Sequence, residues 1–149
     1  MKSAARELAL CFLYSLVFSS VSAAQNQTRY QVSLIRGDSV VVDQRSGLMW
    51  ADTQYVSVSR WHRALSYCER LVYAGFSDWR LPNIRAMSSV VDFGQSQFSI
   101  NFPSSPMNRA YWTSSTYEGD KSKAWTVVFD GRIEAFDKSS STADARCIR

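Results

Sequence analysis

The chain has 149 residues, of which 46% are hydrophobic and 20% charged, and its formal net charge is +4. This basic excess is small and scattered along the chain, so it does not indicate nucleic-acid binding, and we expect no nucleic-acid partner. All five tryptophans follow residue 49, and most of them are expected in the core.

Residues 1–24 have the organisation of a secretory signal peptide. Lys2 and Arg6 give a basic start, the apolar run LALCFLYSLVF is too short for a stable membrane anchor, and SSVSAA supplies small residues for cleavage. Cleavage after Ala23 or Ala24 removes Cys11. The signal peptide predicts an exported protein, periplasmic or secreted. No second hydrophobic stretch follows, so we expect no transmembrane segment in the mature protein. The mature chain, about 125 residues long, is a normal size for one domain.

Two cysteines remain in the mature chain, Cys68 and Cys147. In an oxidising compartment such a pair is expected to form a disulfide. Closing so long a loop stabilises the fold by roughly 4–5 kcal/mol in the chain-entropy account. The alternative is a pair of reactive thiols, which the absence of a C-x-x-C spacing disfavours.

The first predicted elements are strands. YQVSLIRGDSVVVD alternates on both sides of a glycine and predicts two strands around a Gly37-Asp38 turn. The turn contains Arg36-Gly37-Asp38, a tripeptide that some animal cell receptors recognise, but Gly-Asp is ordinary hairpin chemistry and we interpret it as a turn. SGLMW, after a Ser46-Gly47 turn, predicts a third short strand.

The segment VSVSRWHRALSYCERLVYAG changes to helical periodicity, with Ser57 or Ser59 as the predicted N-cap and Gly75 as the stop. Its apolar stripe consists of Val58, Trp61, Leu65, Cys68 and Val72. His62, the one histidine of the chain, lies opposite that stripe and is expected to be solvated. With a single histidine we expect neither a zinc site nor a cofactor.

A second helix is predicted over NIRAMSSVVDF, with Asn83 as its cap and Pro82 fixing the approach of the chain. Residues 95–109 are polar and contain two prolines, so they predict a long loop. Three strand regions follow: AYWTSS, a hairpin AWTVVFDGRIEAF on Asp130-Gly131, and the terminal ARCIR, with KSSSTAD before it as a surface loop. This order of elements is typical of an α+β fold.

Several of these segments resemble the C-terminal domain of the Legionella collagen-like protein family. The segments are VDQRSGLMW, the run from Trp61 through DWRLPNI, YWTSS, AWTVVFDG and RCIR. The resemblance covers 42–149, after an N-terminal strand segment at 25–41. It implies a C-type-lectin-like fold, that is, a small twisted antiparallel sheet with two helices and a long irregular loop region. It also implies a bond between a helix cysteine and one on the last strand, positions that Cys68 and Cys147 match.

The run DWRLPN is interpreted as a structural corner that joins the two helices. Trp79 and Leu81 are expected to point inward, and Pro82 prevents helix before the cap. Arg80 is expected to point toward a carboxylate or backbone carbonyls, because a half-buried arginine needs such partners. Ala86 stands where the family usually has a glutamate, so a capping box is not complete. The corner comprises Asp78, Trp79, Arg80, Leu81, Pro82 and Asn83, and the candidate carboxylates are Asp78, Asp130 and Asp144.

The resemblance implies a binding module that is not an enzyme. Founding members of the family are similar to adhesins that bind sulfated glycans and trimerise, so we expect recognition of a polyanionic extracellular or envelope glycan, and a homo-oligomer is compatible with it. Aromatic faces and cations suit such ligands. A second basic group lies at Arg60 and Arg63, and no Glu-Pro-Asn or Trp-Asn-Asp run implies calcium. The candidate ligand-binding residues are Tyr111, Trp112, Tyr117, Lys121, Lys123 and Arg132.

Two other classes of function stay open at this point. The first is an interaction subunit that binds another exported protein, because protein interfaces also favour Trp, Tyr and Arg. The second is an enzyme related to the formylglycine-generating oxidases, which share a related fold and use cysteines with a metal. Assigning both cysteines to a disulfide disfavours this second class.

Overall fold

The computed structural model describes residues 29–54, 56–91 and 108–149. Residues 1–24 and most of the loop predicted at 95–109 lie outside these ranges. Within them the chain is a small α+β fold, and none of the helices there is long and apolar enough to cross a membrane. The elements are β1 (Tyr30–Ile35), β2 (Asp38–Asp43), β3 (Met49–Ala51), β4 (Val56–Ser59), α1 (Trp61–Glu69), α2 (Ile84–Ser88), β5 (Ala110–Thr116), β6 (Lys123–Val128), β7 (Ile133–Asp137) and β8 (Thr142–Ala145).

The first sheet has the strand order β1-β2-β3. β1 and β2 form the predicted hairpin, but their register ends at the pair Ile35 and Asp38. The turn is therefore Arg36-Gly37, one residue earlier than predicted. Both turn residues have positive φ, 54° and 89°, which gives the strands of a two-residue hairpin their right-handed twist. β3 then adds to the free edge of β2.

The Arg36-Gly37-Asp38 tripeptide makes contacts within the fold. The Asp38 carboxylate accepts a hydrogen bond of 2.8 Å from the backbone N–H of Ala74. The Arg36 side chain lies over Gly75, so closely that a Cβ there would be 2.7 Å from Nη1. The tripeptide thus attaches the hairpin to the turn after α1.

The second sheet has the order β4-β8-β5-β6-β7. Its strands pair antiparallel, except that β5 and β8 run parallel through the pair Tyr111 and Asp144. The expectation of one small antiparallel sheet is therefore wrong, because the described residues form two sheets and one of them is mixed. The parallel contact arises because β8, the last strand, inserts between β4 and β5.

Helix α1 is shorter than predicted. Its first predicted turn is instead strand β4, in which Val58 pairs with Ala143. Arg60 has a φ of 73° and separates strand from helix without a side-chain cap, so the prediction of a serine N-cap was wrong. The helix ends at Glu69, and Gly75 lies in a separate turn after it, with a φ of 79°.

Helix α2 begins where predicted and ends early. The Asn83 side chain accepts a hydrogen bond of 2.8 Å from the Ala86 N–H, as expected for an N-cap. The helix ends at Ser88, and the buried Val90 and Val91 follow it. The last strand also differs from the prediction, because it covers 142–145, which takes in part of the expected surface loop.

The C-terminal segment after β8 joins the parts of the fold. Ala51 N–H donates to the Cys147 carbonyl, and Met49 and Arg149 exchange two backbone hydrogen bonds. Ile148 exchanges another two with Arg80, of 2.8 and 2.9 Å. The predicted disulfide joins buried Cys147 to buried Cys68 on α1. One short segment therefore links the first sheet, the 78–83 segment and α1.

Two hydrophobic clusters fill the interior of the described fold. One surrounds Trp112 and the disulfide between the sheets and α1, and the other packs α2 against the second sheet. Arg146 is also buried, where it bonds to the Ala51 carbonyl at 2.9 Å and pairs with buried Asp52 at 3.4 Å. The largest fully buried side chains include Trp50, Trp112, Arg146, Tyr111, Met87 and Ile148.

Candidate functional site

A concave surface with a cavity volume of about 530 Å³ lies between the start of β1, the β2–β3 turn, the 78–83 segment and α2. We call it the basic groove, because four of its nine lining residues are arginines and none is acidic. The lining residues are Arg29, Arg45, Ser46, Leu48, Arg80, Asn83, Arg85, Ala86 and Ser89.

Asp43, buried beneath the groove, organises the β2–β3 turn. Its carboxylate accepts two hydrogen bonds from the Arg29 guanidinium, of 3.0 and 2.9 Å, one from the Arg45 N–H and one from the Ser46 hydroxyl. Burial alone would raise the pKa of Asp43, but these hydrogen bonds outweigh it and lower the pKa from 3.8 to about 2. The hydrogen bonds that Arg29 donates to Asp43 also raise the pKa of Arg29. The positive charge of Arg29 is thus paired with Asp43, whereas Arg45 is exposed on the turn.

The 78–83 segment contributes Arg80 and Asn83 to the groove. Trp79 and Leu81 are buried, as predicted, with exposed fractions of 2% and 3%. Arg80 lies between them in sequence, and its backbone is fixed by the two hydrogen bonds to Ile148. Since successive side chains of an extended segment point to opposite sides, the Arg80 side chain points outward and lines the groove.

Arg80 was expected to point toward a carboxylate or backbone carbonyls, and within the described residues its side chain forms neither a salt bridge nor such a hydrogen bond, so that prediction was wrong. Asp78 pairs instead with Arg149, through hydrogen bonds of 2.7 and 3.1 Å. The other two candidate carboxylates, Asp130 and Asp144, pair with Arg132 and Arg109 respectively. Arg80 needs no such partner because it is exposed.

Helix α2 supplies Arg85, Ala86 and Ser89. Arg85 is exposed in the first turn of the helix. Asn83 uses its side-chain oxygen as the cap, which leaves its NH2 group without a hydrogen bond inside the described residues. Together with Arg45 and Arg80, the groove presents three exposed guanidinium groups that form no salt bridge with any described carboxylate.

Two of the six predicted ligand-binding residues lie in the core. Tyr111 and Trp112 are each 0% exposed. Tyr111 stacks on Phe129 with ring centroids 4.4 Å apart, and the Trp112 indole donates to the Val58 carbonyl. Neither ring offers a face to a ligand, so their assignment to a binding site is corrected to core packing.

The other four predicted residues do not form one site. Tyr117, Lys121 and Lys123 lie at the β5–β6 hairpin, where Tyr117 packs on Trp125 and Lys123 pairs with an aspartate at 3.6 Å. Arg132 follows the opposite end of β6, and the length of that strand separates the two groups by roughly 17 Å. Arg132 is also bridged to two carboxylates.

No sequence pattern groups the arginines that line the basic groove. Arg45 and Arg85 come from segments forty residues apart, and the local signals, a turn residue and a helix first turn, do not distinguish them from solvated charges. His62 is exposed on α1. Across the described ranges no three His, Cys, Asp or Glu side chains come together as metal ligands.

Comparison with known proteins identifies one family. The sequence profile described as Lcl C-terminal domain matches residues 39–149, which is most of the chain and begins three residues before the boundary expected at 42. The search of curated proteins found no match. The search of solved structures found none either.

Proposed function

The chain belongs to the Lcl C-terminal domain family, and on this premise we propose that it is an exported, non-catalytic module that binds polyanionic glycans through the basic groove. Three exposed arginines around one concavity, with no carboxylate among the lining residues, carry this proposal. The C-type-lectin-like arrangement that the family resemblance implies is part of it.

The chemistry of the lining suits a sulfated or carboxylated sugar. A guanidinium is a planar fork of donors that bonds two oxygens of one anionic group, and such charge-assisted hydrogen bonds are stronger than neutral ones. The free amide of Asn83 can donate to a hydroxyl, while Leu48 and Ala86 offer apolar contact to a ring. A volume of about 530 Å³ lies within the usual range of small-ligand sites.

Ala86 makes the groove more positive than the family pattern would. The family usually has glutamate at this position, and Ala86 lines the groove directly. An alanine therefore removes one carboxylate that would stand among the arginines. The lost capping-box bond costs under about 1 kcal/mol, so a more favourable potential for anions is obtained at little loss of stability.

The backbone positions that carry the arginines are ordered before any ligand binds. Asp43 fixes the turn that carries Arg45, and Ile148 fixes the backbone of Arg80. The Asn83 cap orders the first turn of α2, where Arg85 lies. A prearranged site loses less conformational entropy on binding, which favours affinity for an anion of fitting shape.

The test is a titration of the purified protein with sulfated, carboxylated and neutral oligosaccharides at low and physiological salt. We expect sulfated chains to bind and salt to weaken the binding, because exposed charges are screened. The variant Arg45→Ser/Arg80→Ser/Arg85→Ser should lose at least about tenfold in affinity.

A matched control separates the groove from net charge. Lys121→Ser/Lys123→Ser/Arg132→Ser also removes three cations, but outside the groove, and should change affinity by less than about twofold. Equal losses in both variants would mean that only overall charge matters. Binding of neutral chains as tightly as sulfated ones would exclude recognition through the arginines.

A further inference from the structure

A second concavity, of about 480 Å³, lies where β4 meets the end of α1. It shares no lining residue with the basic groove, and no predicted site residue lies in it except Arg63 of the second basic group. We call it the α1 depression. Its lining residues are Val58, Arg63, Tyr67, Arg70, Leu71 and Val72.

The cations of this region follow one stripe of the helix. Arg63, Tyr67 and the C-cap residue Arg70 are spaced by four and three residues, which places them along the same side of α1, and Arg60 directly precedes the helix. Ala64 and Cys68 lie on the side of α1 that faces the core. The three arginines are exposed and form no salt bridge within the part of the chain that the structure describes; Arg63 has one long hydrogen bond, of 3.4 Å, to a serine hydroxyl.

Aliphatic side chains complete the depression. Val72 is 74% exposed, one of the most exposed large hydrophobic side chains among the described residues, and Val58 and Leu71 are half-buried below it. One face of a sugar ring can contact an aliphatic group, but it would leave most of so exposed a side chain as Val72 in water, because sugars present mainly hydroxyls. Covering these aliphatic groups with apolar side chains removes hydrocarbon from water. A surface that combines unpaired arginines with exposed aliphatics therefore fits a peptide better than a glycan.

We propose that the α1 depression binds an acidic amphipathic segment of a partner protein. Arg63 and Arg70 are seven residues apart, which is about 10 Å along a helix. Two carboxylates at positions i and i+7 of a partner helix have the same spacing, and aliphatic side chains at i+3 and i+4 then lie between them. The carboxylates pair with the two arginines, and the aliphatic side chains between them lie over Tyr67 and against the aliphatic side chains that line the depression.

This inference goes beyond glycan binding, because it gives the module a second partner of a different class. A domain that holds a glycan in the basic groove and a protein at the α1 depression joins the two. The two surfaces are carried by different segments, so each can be changed without altering the lining of the other.

The test uses synthetic helical peptides titrated against the full chain. The probe has glutamates at i and i+7 and leucines at i+3 and i+4. One control peptide replaces the leucines with serine, and a second replaces the glutamates with lysine. We expect the probe to bind at least about tenfold more tightly than either control.

Variants of the protein locate the binding. Val72→Ser should weaken probe binding by about tenfold without affecting the fold, because the side chain is largely exposed. Arg63→Glu/Arg70→Glu should reject the probe and bind the lysine peptide instead, which an unfolded or misfolded variant would not do. Arg45→Ser/Arg85→Ser, in the groove, should leave probe binding unchanged.

Three results would overturn the inference. Equal binding of the serine peptide would mean that charge alone attracts the probe. Loss of probe binding in the groove variant would place the peptide in the groove. Displacement of the probe by a sulfated oligosaccharide in the groove variant would mean that the α1 depression is a second glycan site.

Discussion

Replacing Asp43 with asparagine perturbs the residue on which the basic groove is built. The Asp43 side chain is 1% exposed and accepts hydrogen bonds from one guanidinium, one backbone N–H and one hydroxyl. Asparagine has nearly the same shape but no charge. Asp43→Asn therefore removes the charge and turns one accepting oxygen into a donor, as protonation of the carboxylate also does, while leaving packing almost unchanged.

The pKa of Asp43 sets the size of the effect. A shift from 3.8 to about 2 corresponds to about 2 kcal/mol of stability at neutral pH, since one pKa unit is worth roughly 1.4 kcal/mol. The folded-state pKa is depressed, so this stability is fully present above pH 4 and is lost as pH falls through about 2. The difference between the native protein and Asp43→Asn should follow the same course.

Urea unfolding monitored by tryptophan fluorescence, at several pH values between 2 and 7, measures this difference. We expect Asp43→Asn to be about 2 kcal/mol less stable at pH 7 and nearly equal to the native protein near pH 2. Asp130→Asn, on the exposed pair with Arg132, is the control and should change the midpoint little. A destabilisation that is the same at pH 2 and pH 7 would show that packing, and not charge, explains the role of Asp43.

Three further substitutions test the interior and the turns. Replacing Cys68 and Cys147 by serine opens a loop of 79 residues and should cost about 4–5 kcal/mol in urea unfolding; a loss below about 1 kcal/mol would contradict the chain-entropy account. Arg146→Met leaves buried Asp52 without its cation and should cost about 3–5 kcal/mol, whereas adding Asp52→Leu should restore part of that stability in the same assay. If the double variant is the less stable one, the pair is worth more than the hydrocarbon that replaces it. Gly75→Ala adds a methyl group at positive φ and against an arginine side chain, so its melting temperature should fall by an amount equivalent to about 1–2 kcal/mol, and an unchanged temperature would mean that the turn adjusts freely.

The parts of the fold that were predictable are those fixed by neighbouring residues. The β1–β2 hairpin follows from alternation on both sides of a glycine, and the Asn83 cap follows from one side chain and the N–H three residues later. The start of α1 was mispredicted because Val58 lies at helical spacing from Trp61 although it belongs to a strand. That assignment depends on pairing with β8, which is more than eighty residues away in sequence.

The groove could not be predicted for the same physical reason. Arg45, Arg80 and Arg85 come together only because the C-terminal segment pairs with both β3 and the 78–83 segment. Conversely, Tyr111 and Trp112 have the composition of a sugar-binding surface but lie in the core, and residue type alone does not tell that both faces of β5 are covered at these positions. Long-range pairing decides both outcomes.

The 78–83 segment shows how one short run acts as a corner and as part of the candidate site. Alternation buries Trp79 and Leu81 and leaves Asp78 and Arg80 outside. Both outer residues are held by the C-terminal segment, Asp78 through its side chain and Arg80 through its backbone. The disulfide of Cys147 fixes the C-terminal segment to α1, and Ile148 of the same segment fixes the backbone of Arg80. The position of Arg80 therefore depends on the disulfide. The backbone of this run therefore lies between α1 and α2 and is held by the C-terminal segment, while its outward arginine lines the groove.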